Sequence, residues 1–87
     1  MIFLDTNIDE KNKFSIGIEK ESGEYYLSIP VSNPFVDYSE YYKISRHSYK
    51  SYSQNMDLAL DFLDQCKKRN KDHLLFQQPG KYRGSPI

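Results

Sequence analysis

Apolar and polar residues alternate in three runs through the first half of this chain, then give way to helical spacing. From Phe14 the alternation places Phe14, Ile16 and Ile18 on one side and Ser15, Gly17 and Glu19 on the other. This is the period-2 pattern of a half-buried strand. Residues 20–23 (KESG) form a short connection with glycine where a positive φ is useful. Alternation resumes with Tyr25, Leu27, Ile29 and Val31 opposite Tyr26, Ser28, Pro30 and Ser32. The two runs predict a β-hairpin. Pro30 has no N–H to give to a ladder, so the second strand is expected to be an edge or to bulge near its end. After the Asn33-Pro34 turn, residues 35–44 alternate again. Val36, Tyr38, Tyr42 and Ile44 share one face, and Asp37, Ser39, Tyr41 and Lys43 the other. Glu40 falls on the apolar face, which implies an open edge or an interruption there. Ahead of the hairpin, residues 2–4 suggest a short edge strand, and the polar residues 5–13 (DTNIDEKNK) read as a loop.

Ser45 has the side chain of a helix N-cap and predicts a short helix over residues 46–53, with Tyr49 and Tyr52 one turn apart. Asn55 is the next cap. Over residues 56–69, Met56, Ala59, Leu60, Leu63 and Cys66, joined by Leu58 and Phe62, recur at helical spacing with a broad apolar face. Asp57, Asp61 and Asp64 precede Lys67, Lys68 and Arg69, an order that complements the helix dipole, and Asp64 with Lys68 is a favourable i,i+4 pair. Leu74-Leu75-Phe76 is a brief apolar run and a candidate last strand. Residues 77–87 (QQPGKYRGSPI) are rich in Pro and Gly, and read as an extended tail unless they dock on the body. The pattern predicts a single α+β domain over residues 1–87. Its antiparallel sheet of three to four strands packs against one short and one long helix.

Composition adds limits to this picture. A chain of 87 residues buries roughly 60–65% of the surface its unfolded form exposes, so stability should be modest. The 38% hydrophobic and 28% charged fractions exclude wholesale disorder. Eight tyrosines are unusual, and each can serve both a small core and a binding surface. Cys66 is the only cysteine, which excludes an internal disulfide and a cysteine metal cluster. Without a signal-peptide pattern or an apolar run near ~20 residues, the chain reads as cytoplasmic, off the membrane and monomeric.

Charge changes the picture most. Residues 1–42 carry eight acids against three lysines, a net of −5, and residues 43–87 carry nine bases against four acids, a net of +5. The formal net charge of zero hides a dipolar molecule, and such asymmetry speaks to partners. The basic cluster of Lys67, Lys68, Arg69 and Lys71, with Lys81 and Arg83 flanking Tyr82, could neutralise phosphates and stack a base. The plainer reading is that these bases satisfy the carbonyl end of a helix, and the neutral total favours it over nucleic-acid binding. His47 and His73 match no metal-ligand spacing, and Cys66 on the apolar helix face reads as a small buried hydrophobe. Gly80-Lys81 lacks the spacing of a phosphate loop. No arrangement reads as an active site, so no catalytic residue, metal or cofactor is expected.

Residues 36–45 (VDYSEYYKIS), the helix ending in CKKR (66–69) and the tail LLFQQPGKYRGSPI (74–87) together resemble small immunity proteins of bacterial contact-dependent growth inhibition and related polymorphic toxin systems. The resemblance covers residues 24–87 in general pattern and segment order, with QPG-x-x-RG-x-P as its most specific element. It implies a protein that binds the C-terminal domain of a cognate toxin, usually a nuclease, in the cell that makes it. It implies no enzyme activity.

The acidic half agrees with that expectation. Glu19, Glu21 and Glu24 cluster at the hairpin turn, Tyr26 lies on the face away from the apolar one, and Asp37 and Tyr41 extend that face on the third strand. A basic toxin would be steered by such acids and anchored by such rings. These six residues are the expected toxin-binding set, with the basic segment 67–83 as the competing surface.

Overall fold

A computed structural model describes residues 1–87. One antiparallel sheet is built from β1 (Phe3–Asp9), β2 (Phe14–Glu19), β3 (Tyr25–Ser32), β4 (Asp37–Ile44) and the two-residue β5 (Ser85–Pro86). The first four strands lie side by side in chain order, and β5 returns to pair with the end of β3. Helix α1 (Arg46–Gln54) and a second helical segment pack against one face of the sheet. The second segment starts as a 3-10 turn at Met56–Ala59 and continues as α2 (Leu60–Lys67). The core lies between these layers, with Ile16, Leu27, Ile29 and Val31 against Ala59, Leu63 and Cys66. This is the expected α+β arrangement with four full strands and a short fifth. No helix is long and apolar enough to cross a membrane.

The hairpin of β2 and β3 pairs Ser15 with Ser28 and Gly17 with Tyr26, and its turn uses Gly23 at φ 74°. Ser45 caps α1 by accepting the Ser48 amide at 3.0 Å, and Asn55 caps the next segment by accepting the Asp57 amide at 3.1 Å. Both caps are where the residue types place them.

Four expectations need correction. Residues 5–9 are strand, not loop: β1 runs to Asp9, with a bulge at Thr6 where the register steps from Asp5–Gly17 to Asn7–Ile16. The extra residue reverses the alternation at that point, and Asp, Thr and Asn there mimic a turn. Pro30 lies on an interior strand. It sits just past the pairing of β2, which reaches only Ser28, and its carbonyl accepts the Ile87 amide at 3.1 Å. Its missing N–H therefore faces the step between β2 and β5, where no ladder bond is lost. Of the two readings of Glu40, the edge position holds, since β4 is the last strand of the main sheet, but the strand is unbroken there and the side chain turns inward. Residues 74–76 are not a strand but the end of a 3-10 turn (Asp72–Leu74) and a single bridge from Leu75 to Tyr42.

The tail docks. The Asn33 side-chain amide donates to the Tyr82 carbonyl at 2.8 Å, and the Gly84 amide donates to Tyr38 Oη at 2.7 Å. Arg83 closes the arrangement from inside. Its guanidinium meets both oxygens of Glu40 at 2.8 and 3.0 Å and both of Asp72 at 2.7 and 2.9 Å. Two carboxylates flank one fork, so the buried charges are paired and hydrogen-bonded. Tyr42 adds its hydroxyl to Glu40 at 2.9 Å, and burial raises the pKa of that phenol.

Candidate functional site

The two helical segments leave the other face of the sheet uncovered. From β2 to β4 that face presents Ser15, Gly17, Tyr26, Ser28, Ser39 and Tyr41, and from β1 it takes Phe3, Asp5 and Ile8. Phe3 and Tyr41 stand on the two outer strands of the main sheet, yet their rings stack at 3.6 Å and 10°. Strands sit about 4.8 Å apart, so rings on the first and fourth meet only if the sheet curls. The uncovered face is therefore concave. Tyr26 lies under this stack with no exposed surface, edge-on to Phe3 at 5.3 Å and to Tyr41 at 5.0 Å. Phe76 closes the cluster edge-on to Phe3.

Beside the cluster runs a chain of hydroxyls. Tyr26 Oη donates to Asp5 Oδ1 at 2.5 Å, Ser15 Oγ donates to the same oxygen at 3.1 Å, and the Ser15 and Ser28 hydroxyls pair at 2.5 Å. Burial, with Asp5 as acceptor, raises the Tyr26 pKa. Asp5 Oδ2 takes no intramolecular bond, and the residue is exposed. Around it opens a hollow of about 320 Å³, lined among others by Ile8, Asp9, Glu10, Lys13, Pro30, Ser39 and Tyr41. Three acids against one lysine give it a net charge of −2. Asp9 is occupied, accepting both the backbone and side-chain amides of Asn12, which hold its pKa below the usual range.

The six residues expected to bind a partner do not form one patch. Glu19 is 1% exposed, and its carboxylate accepts the amides of Ile2 at 2.7 Å, Glu21 at 3.0 Å and Ser22 at 2.9 Å. It organises the hairpin turn from inside. Tyr26 is equally buried, so neither residue can touch a partner in this fold, and both were expected on the surface. Glu21 lies exposed against the Met1 amine at 2.8 Å, and Glu24 lies exposed 3.7 Å from Lys43 Nζ. Both sit at the turn end of the sheet, away from the hollow. Asp37 is exposed at the opposite end, where β4 begins. Tyr41 alone lines the hollow, half-buried. Asp5, Asp9 and Glu10 were missed because they lie on and just after the bulged strand read as a loop.

The basic segment is also dispersed. Arg83 is enclosed by its carboxylates, and Arg69 Nη2 donates to the Gly84 carbonyl at 3.4 Å. Lys68 pairs with Asp64 at 2.9 Å, the i,i+4 contact anticipated from spacing. Two of the six bases therefore hold the tail. Cys66 is packed in the core, where burial pushes its thiol up to about 12 and keeps it protonated at neutral pH.

Glu19 carries a prediction. The Ile2 amide foremost, with those of Glu21 and Ser22, holds its carboxyl at about 2 against an ordinary value of 4.5. A depressed folded-state pKa contributes stability above the unfolded value, and that contribution is lost as pH falls from 4.5 toward 2. Glu19→Gln is expected to lower the urea midpoint at neutral pH and to flatten its decline over that acid window. An unchanged acid slope in the variant would assign the decline to other carboxylates.

Comparison with protein-family models, with curated proteins and with solved structures finds no match for this chain.

Proposed function

We propose that the protein is an immunity protein that captures a basic toxin domain, a nuclease, on the concave face of its sheet and blocks it without chemistry of its own. The observation that carries this reading is the hollow around Asp5 on a face that both helices leave open. It is negatively charged, lined by fixed hydroxyls and walled by the half-buried Tyr41 ring. A nuclease must attract polyanions, so its cleft is commonly basic. An acidic receptor speeds encounter with such a cleft, and an aromatic held in place by Phe3 loses little freedom on contact. The segment-level resemblance to immunity proteins supports the same reading from the sequence side.

Co-expression with the C-terminal domain of a toxin encoded just upstream is the direct test, scored by cell survival and co-purification. Glu10→Lys should slow association and reduce its salt dependence. Tyr41→Ala should speed dissociation by about 30-fold, the equivalent of ~2 kcal/mol for a central aromatic anchor. Binding that tolerates both changes but fails on Lys67 or Lys68 substitution would move the interface to the basic end of α2.

A further inference from the structure

The main sheet has two outer edges, and only one is covered. On β4 the Phe76 amide donates to the Tyr41 carbonyl at 3.0 Å, and Leu75 bridges to Tyr42. On β1 no hydrogen bond outside the ladder with β2 uses a backbone group of the strand. The Ile2 carbonyl accepts the Lys20 amide at 2.8 Å, so Ile2 and Leu4 turn their backbone groups toward β2, and Phe3 and Asp5 turn theirs outward. In β2 the Glu19 amide donates to the Glu24 carbonyl at 2.8 Å, which by alternation puts Ser15 in bonds with β3. Ile8 stands opposite Ser15, so its N–H and C=O also point outward. Ile2, Leu4 and Ile8 leave 56%, 48% and 66% of their surface exposed along this edge. An unpaired edge is a template for another strand, and soluble proteins blunt it with charges and bulges. β1 has both: Asp5 and Asp9 lie on it and Glu10 follows, with no Lys or Arg among residues 1–10, and the bulge at Thr6 bends it.

We infer that β1 accepts a strand of the partner protein as a further strand of the sheet, and that this strand carries Lys or Arg alternating with apolar residues. This rests on the reading that the open face binds a basic partner, since β1 forms one rim of that face. Charge selects the occupant. A second copy would lay its own Asp5 and Asp9 along those of the first, and like charges across a strand pair are unfavourable. A basic strand reverses that sign and covers Ile2, Leu4 and Ile8 as it pairs. Main-chain bonds to Phe3, Asp5 and Ile8 supply affinity, and the alternating side chains supply selectivity. The bulge narrows the choice, because the incoming strand must follow its bend to reach both Asp5 and Ile8.

The test uses the full chain, labelled for amide NMR, and three capped strand peptides. The first alternates Lys with Val and Thr, the second has Glu for Lys, and the third is the lysine peptide N-methylated at its central amides. At up to about 1 mM, the range of a weak single-segment contact, the lysine peptide should slow solvent exchange at Phe3, Asp5 and Ile8 and leave Leu4 unchanged. The other two peptides should act at least about tenfold more weakly. Equal protection by either of them, or none by the lysine peptide, overturns the inference. Protection of the same amides that rises with protein concentration alone assigns the edge to a second copy and also overturns it. The partner complex supplies the second arm. Ile8→Pro deletes an outward N–H at an edge position, where proline is tolerated, so stability should hold while dissociation quickens about tenfold. Ile8→Lys keeps the N–H and sets a cation against the incoming bases, which should slow association. A toxin neutralised equally well by both variants removes the added strand and leaves the immunity reading standing. A toxin that the unmodified protein neither binds nor neutralises removes the immunity reading itself.

Discussion

Replacing Arg83 with methionine is expected to remove about 3–5 kcal/mol of stability, the range measured when one partner of a buried ion pair is deleted. For a domain of this size that is a drop of more than ~10 °C in the thermal midpoint. Glu40 is 7% exposed and sits on the apolar face of β4, where only the guanidinium and Tyr42 compensate its charge. Without Arg83 it must stay ionised and unpaired or take up a proton, and both are unfavourable. Asp72 behaves differently because its side chain is 35% exposed and can hydrate. The double change Glu40→Leu with Arg83→Met should therefore recover most of the loss, since it leaves no buried charge behind. The tail should report the same event. The Ile87 amide, bonded to the Pro30 carbonyl, should exchange with solvent faster in the single variant. A single variant within 1 kcal/mol of the parent in urea unfolding, or a double variant no better than the single, would show that the fork does not hold the tail. The usual scatter of surface substitutions is ±0.5 kcal/mol.

Glu40 also shows where the residue pattern stops being legible. A period of two assigns sides to residues of a strand, and it placed Glu40 correctly among Tyr38 and Tyr42. It cannot name a partner 43 positions away, so an acid on an apolar face reads as an open edge or a break. The Pro/Gly tail was readable as non-helical, but the buried anchor within it was not. The hairpin, β4, both caps and the apolar helix stripe were legible because each rests on neighbours within a few residues. β1 was legible only at its start, as an edge strand near residues 2–4, since its bulge replaces one alternation by its mirror image.

The candidate site was half legible for a related reason. Alternation put Tyr26 and Tyr41 together on the face away from the helices, which is where they are. It gave no depth. Phe3 and Phe76 come from opposite ends of the chain to roof that face, and they turn Tyr26 from a surface ring into a buried one. Glu19 was misplaced for want of the same information. Its acceptors are satisfied by three backbone amides that converge only once the turn has formed.

Gly17→Ala tests how firmly that face is built. Gly17 pairs across the hairpin with Tyr26, whose ring lies over it, an arrangement in which an aromatic covers the gap left by a strand glycine. A methyl at Gly17 would collide with the Leu4 carbonyl oxygen of β1 and come within 2.6 Å of Tyr26 Oη. The first obstacle is backbone, so relief requires β1 to shift from β2. The second requires the Tyr26 ring to lift, which breaks its bond to Asp5 and tilts the Phe3–Tyr41 stack. The expected loss is about 3 kcal/mol or more, at or beyond the upper end of core overpacking, because both neighbours are fixed. Gly80→Ala is the matched control: no atom lies within 4 Å of its added methyl, so stability should hold. Tyr26→Phe in the Gly17→Ala background should recover only part of the loss, since it removes the hydroxyl contact but leaves the Leu4 carbonyl and the ring carbon at 2.7 Å in place. Binding should fall with stability in Gly17→Ala, as a displaced Tyr41 no longer walls the hollow around Asp5. If Gly17→Ala unfolds at the parental urea concentration, the ring does not rest on the glycine, and a rigid aromatic wall does not contribute to recognition.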